Sequence, residues 1–166
     1  YYGYQSFQTG TTSTTSAPNL VPTPEFAADS AYAHIAKQVA FGPRVPNSSA
    51  QTQCADWIVG KMKSYGLQVL TQPFEANRYD GKKLNGTNII ASYNPSATKR
   101  ILIAAHWDSR SIADKDSVRK DEPIDAANDG ASGVGVMIEL ARVLSQTKDK
   151  PAVGVDFVFF DLEDHG

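Results

Sequence analysis

From Pro24 onward, apolar and polar positions recur along the chain in two alternating periods. In PEFAADSAYAHIAKQVAFGPR the helical period predicts a helix over 26–40, closed by Gly42 and Pro43. Cys54, Trp57, Ile58, Met62 and Tyr65 repeat at the same spacing in the next segment, so a second helix is expected, with Asn47 or Ser48 as its N-cap and Gly66 at its end. LQVLTQPFEA and KLNGTNIIASYN, separated by the turn-forming Asp80-Gly81, predict neighbouring strands. KRILIAAH is a short continuous apolar run, which predicts a strand covered on both faces, and AVGVDFVFFDLE predicts another buried strand. Between them, GVGVMIELARVLSQ aligns Val134, Met137, Ile138, Ala141 and Leu144 along one helical face. Strands alternating with helices in this way predict an α/β sandwich around a mixed sheet.

The first two dozen residues break the pattern. YYGYQSFQTGTTSTTSAPNLVPTP is rich in Ser, Thr, Gly and Pro, carries no charge and shows no apolar period. Residues 1–24 therefore read as a linker or surface arm ahead of a domain over 25–166. They lack the basic and apolar regions of a signal peptide, although such a tether often remains once a targeting segment has been removed.

Composition narrows the function classes. A chain of 166 residues, 41% hydrophobic, suffices for one substantial core. Sixteen basic against eighteen acidic residues leave a net charge of -2 with no basic stripe, which argues against nucleic acid and anionic lipid as partners. The longest apolar runs, ILIAA and FVFF, fall far short of a membrane span. Cys54 is the only cysteine, so an intrachain disulfide and a Cys-based zinc finger are excluded, and its helical face predicts a buried thiol.

Candidate chemistry gathers where the strands end. In open α/β sheets, ligands bind outside the carboxyl ends of the strands. AHWDSR follows the strand ending near Ala105, AANDGASG leads into the helix beginning near Ser132, and LEDHG follows the strand ending near Phe160. Carboxylates combined with imidazole suit zinc or a similar divalent ion. Taken singly, these segments read as a hydrogen-bonded surface pair, a turn and a solvated acidic pair; their common position is what points to a metal site. His34 and His165 read as structural or solvent-facing, and Asp114, Asp116, Asp121 and Asp125 as a solvated loop.

The runs HWDSR, ANDGASGVGVMIELARVL and VDFVFFDLED, in that order, resemble the core of the zinc-dependent exopeptidase clan of aminopeptidases. Within it they are more similar to the glutaminyl cyclases of Bacteroidetes-type bacteria, and FGPRVPNSSAQTQCADWI resembles the cyclase segment with a Gly-Pro-Arg loop before the second helix. The resemblance implies a three-layer α/β/α sandwich around a mixed central sheet, of which 25–166 would be the front part. It implies Asp129 and Asp164 as zinc ligands, Glu163 as catalytic acid/base, and His106 and Asp108 as supporting residues or, in a dinuclear aminopeptidase, part of a second metal site. Asp164 departs from the commoner Glu-Glu pattern with a shorter arm. One zinc per chain is expected for a cyclase and two for an aminopeptidase, and the remaining zinc ligand, a histidine, is expected beyond Gly166. The implied reaction is conversion of a peptide's N-terminal glutamine to pyroglutamate with loss of ammonia, in a periplasmic or cell-envelope setting. The alternatives are a zinc aminopeptidase and a non-catalytic binding module on the same fold.

Overall fold

Ser48 opens the second helix by accepting the Gln51 N–H on its hydroxyl at 3.1 Å, which satisfies one of the donors left free at a helix start. The computed structural model describes residues 24–165, so all but the last residue of the 1–24 arm lies outside the described residues. The elements run α1 (Ala28–Ala40), α2 (Ser49–Ser64), β1 (Gln68–Asn77), β2 (Lys83–Tyr93), β3 (Arg100–His106), α3 (Ala131–Gln146) and β4 (Gly154–Phe160), followed by a 3-10 turn at Glu163–His165. Each expected helix and strand is present.

The strands lie in the order β1-β2-β4-β3. β1 and β2 form the expected hairpin, turned at Gly81 with φ of 82°, and β2 continues antiparallel to β4. β4 then pairs parallel with β3, which makes the sheet mixed and places His106 opposite Phe160. The core lies on one face of this sheet. Ile89, Ala91, Val155, Phe157 and Phe159 pack against Cys54, Ile58 and Met62 of α2 and Val134, Met137, Ile138 and Ala141 of α3. α1 packs on α3, with His34 and Phe41 against the Trp57 ring of α2. The fold is thus the expected α/β class, and the described residues carry its mixed sheet and one helical layer.

One strand differs from expectation. β3 is not covered on both faces among the described residues: Ile101 is 51% and Leu102 65% exposed. β3 is the edge of the described sheet, and the face opposite the helices leaves Leu70, Leu102 and Phe160 exposed. An apolar run reports that a strand is meant for burial, not which element buries it.

Beneath the sheet edge sits a buried cation. Arg44, fully buried, donates to the backbone carbonyls of Trp107 (3.2 Å), Asp125 (2.5 Å) and Ala126 (3.0 Å), while its own carbonyl accepts from the Ser109 N–H. One side chain therefore ties the loop after β3 to the loop before α3. Burial lowers its pKa, and Asp108 and Asp125 oppose that shift.

Candidate metal centre

Because β3 and β4 are parallel neighbours in register, their carboxyl ends open at the same place. The end of β3 delivers His106, the loop after it delivers Asp108, the turn after β4 delivers Glu163 and Asp164, and the loop just before α3 delivers Asp129. All five residues singled out in the sequence therefore stand at one sheet edge.

Asp108 organises the edge. It is fully buried, and its Oδ1 accepts the Glu163 N–H at 3.2 Å while its Oδ2 accepts the Asp164 N–H at 3.1 Å. Both oxygens are occupied by the backbone of the acidic pair, so Asp108 fixes the turn that aims their side chains. His106 stands between the segments. Its Nδ1 lies 3.4 Å from Asp108 Oδ1 and 3.9 Å from Glu163 Oε2, and its Nε2 lies 2.9 Å from Asp129 Oδ1. Asp108 first, and Asp129 and Glu163 beside it, push the imidazole up to about 9 against the opposing effect of burial.

The adjacent carboxylates of the turn have opposite surroundings. Glu163 keeps a side chain 61% exposed, whereas that of Asp164 is 3% exposed. Asp164 Oδ1 accepts from Arg110 Nε at 3.3 Å and Nη2 at 3.2 Å. Its Oδ2 is buried and has no hydrogen-bond partner among the described residues. A buried carboxylate oxygen without a donor is costly unless a cation satisfies it.

That oxygen, with the chemistry of the neighbouring donors, fits a divalent ion. One ligand atom from each of His106, Asp108 and Asp164 lies within 4.8 Å of the others. Asp129 approaches this cluster through His106 rather than belonging to it. Gly130 makes the approach possible, because a Cβ there would collide with the His106 carbonyl and lie 2.7 Å from its ring. The Asp129-Gly130 peptide is cis. Beside Asp164 a cavity of about 240 Å³ is lined by Arg78, Tyr79, Arg110, Ser111, Ile112, Asp114 and His165.

Sequence reasoning assigns no role to Arg110, Arg44 or Asp161, all three of which hold the site's backbone or carboxylates. The only signals were a basic residue two places after Asp108, another within the apolar stretch FGPRVP, and an acid closing a buried strand. The two remaining histidines are structural: His34 is buried against Trp57, and His165 Nε2 lies 3.1 Å from the Ser109 carbonyl oxygen.

Residues 88–166 match Peptidase family M28. A solved glutaminyl cyclase of Tannerella forsythia is 48% identical to this chain with a TM-score of 0.82, over 86% of this chain and 49% of its own. A solved structure from Bacteroides thetaiotaomicron described as a leucine aminopeptidase precursor is 45% identical with a TM-score of 0.84, over 89% of this chain and 51% of its own. The bovine glutaminyl-peptide cyclotransferase is 30% identical over 86 residues, 47% of this chain and 23% of that protein. The chain spans about half the length of these solved relatives.

Proposed function

We propose, for a chain that belongs with the bacterial zinc-exopeptidase-like glutaminyl cyclases, that the complete protein converts the N-terminal glutamine of peptides or proteins to pyroglutamate with release of ammonia. The observation that carries this reading is the split character of the acidic pair. One turn presents an exposed carboxylate, Glu163, beside a buried carboxylate, Asp164, with a free oxygen.

Asp129 and Asp164 are the residues that would hold zinc, with His106 beside Asp129 and a histidine outside this sequence as the further ligand. Zinc, when bound, supplies Lewis-acid polarisation of the glutamine side-chain amide carbonyl. The chain's own groups do the rest. Glu163 accepts a proton from the substrate's α-amine as its nitrogen bonds to the side-chain carbonyl carbon, and returns one to the departing ammonia as the carbon–nitrogen bond breaks. Asp108 holds Glu163 and Asp164 by their backbone, so the proton carrier does not drift from the reacting atoms. The nucleophile belongs to the substrate, and no Ser or Cys is needed from the protein.

The runner-up is an aminopeptidase. The leucine aminopeptidase precursor among the similar structures and the place of His106 within the carboxylate cluster support it. The composition of residues 1–24 supports a periplasmic or cell-envelope location, which fractionation of the native organism would test.

The deciding experiment gives the zinc-loaded full-length protein a peptide beginning with glutamine and follows it by mass spectrometry. We expect ammonia and a peptide lighter by one ammonia, with no free amino acid. Release of leucine from Leu-Ala without cyclisation of the glutaminyl peptide would overturn the reading in favour of the aminopeptidase.

A further inference from the structure

The turn that carries Glu163 and Asp164 is held from both ends. Its first residue, Leu162, is buried and has a positive φ of 64°, a conformation that a leucine rarely adopts without support. Its side chain fits where Gly86 of β2 has no Cβ; one there would lie 2.8 Å from Leu162 Cγ. The three successive N–H groups of Leu162, Glu163 and Asp164 all go to buried carboxylates. Asp108 takes the last two, and Asp161 takes the first at 3.0 Å.

Asp161 faces no basic side chain within ion-pair distance among the described residues. Amide donors surround it instead. Its Oδ2 accepts from the Thr87 N–H at 2.8 Å and from Gln51 Nε2 at 2.9 Å, and its own N–H donates to Asn88 Oδ1 at 3.0 Å. Gln51 is itself fixed, donating to the Asn85 carbonyl and accepting from the Asn47 N–H. An asparagine could not replace this carboxylate. Donors face both of its oxygens, so an amide NH2 would meet an N–H whichever way it turned.

We propose that Asp161 is a positioning residue for the site: its carboxylate locks Leu162 in the left-handed turn that aims Glu163 and Asp164, using anchors on β2 and the first turn of α2. The inference rests on the reading of Glu163 as acid/base and Asp164 as a zinc ligand. It adds that the geometry of both is set by a residue that touches neither metal nor substrate.

The test uses the full-length protein with Asp161→Asn and, as a milder variant that keeps the carboxylate, Gln51→Met. Amide hydrogen exchange, zinc affinity by chelator competition, and kcat and KM on a glutaminyl peptide are measured well below each variant's Tm. For Asp161→Asn we expect faster exchange confined to the amides of 162–164, zinc affinity and kcat each lower by about tenfold or more, and KM within about threefold. Gln51→Met should move the same quantities in the same direction by less. If Asp161→Asn does not fold, Gln51→Met decides. A lower Tm with exchange, zinc affinity and kcat unchanged would overturn the inference. Absence of cyclisation by the wild type would sink the functional reading alone, because the exchange pattern tests the turn without reference to any reaction.

Discussion

Glu163 and Asp164 are adjacent residues of one acidic type, yet the fold gives them opposite surroundings. A carboxylate meant to carry protons must reach substrate and solvent, and Glu163 is more than half exposed. Glu163→Gln keeps the volume and removes the basicity. In the full-length protein it should leave zinc content and Tm unchanged and lower turnover by about a hundredfold or more, which steady-state kinetics with elemental analysis will show. Asp164 depends on Arg110, whose guanidinium occupies one oxygen and leaves the other bare. That ion pair bears on the shorter arm of Asp relative to Glu, since an anchored oxygen fixes where the free one points. Cys54 shows the reverse use of burial: desolvation pushes its thiol up to about 12, so it serves as packing.

At the scale of elements, two buried charged groups join parts that the sheet does not. Arg44 fastens the loop after β3 to the loop before α3 through three carbonyls. Arg44→Met preserves bulk but strands those acceptors. Thermal melts should show a loss of roughly 3–5 kcal/mol, while Arg44→Lys recovers only part of it because an ammonium does not span the same fork. Glu139 of α3 joins α1. Its carboxylate accepts from Arg142 Nε at 2.8 Å and from the Ala27 N–H at 2.8 Å, just before α1 begins. Arg142 first, then the Ala27 N–H, hold the Glu139 pKa down to about 2 against burial. A depressed carboxylate contributes stability that is present above its unfolded pKa, near 4.5, and is lost as pH falls through about 2. Glu139→Gln should therefore melt lower than wild type at neutral pH, and the gap should close over that acid window. A gap that stays constant from pH 7 to pH 2 would remove the ion pair from the account.

For the whole molecule, the expected metal content follows from the proposed cyclase reading. The complete protein should bind one zinc per chain, and Asp129→Ala should lose most of it; two tightly held zincs in active protein would point to the aminopeptidase. Much of this plan was legible in the sequence because both the helical period and the loop motifs are local. Val134, Met137, Ile138 and Ala141 declared their face, and HWD, ND and ED declared their loops. What stayed hidden was long-range. Nothing near Asp161 in the chain announces that Gln51 and Thr87 will meet it, and nothing near Leu102 says which side of its strand will lie bare. Pairing partners far apart in sequence are set by the packed whole, and periodicity carries no record of them.

The parallel pairing of β3 with β4 also has a timing. On the ribosome, ILIAA emerges long before GVDFVFF, and the acidic loop and all of α3 must be made in between, at roughly 5–20 residues per second. For those seconds an uncharged, β-prone segment waits without β4, and such segments stack readily on copies of themselves. Lys99 and Arg100 stand immediately before it. Their charges repel a second nascent chain in the same register, and in the folded chain Arg100, still at the surface, pairs with Asp156 of β4 at 2.7 Å, so the residue that guards the strand during synthesis becomes part of its clasp.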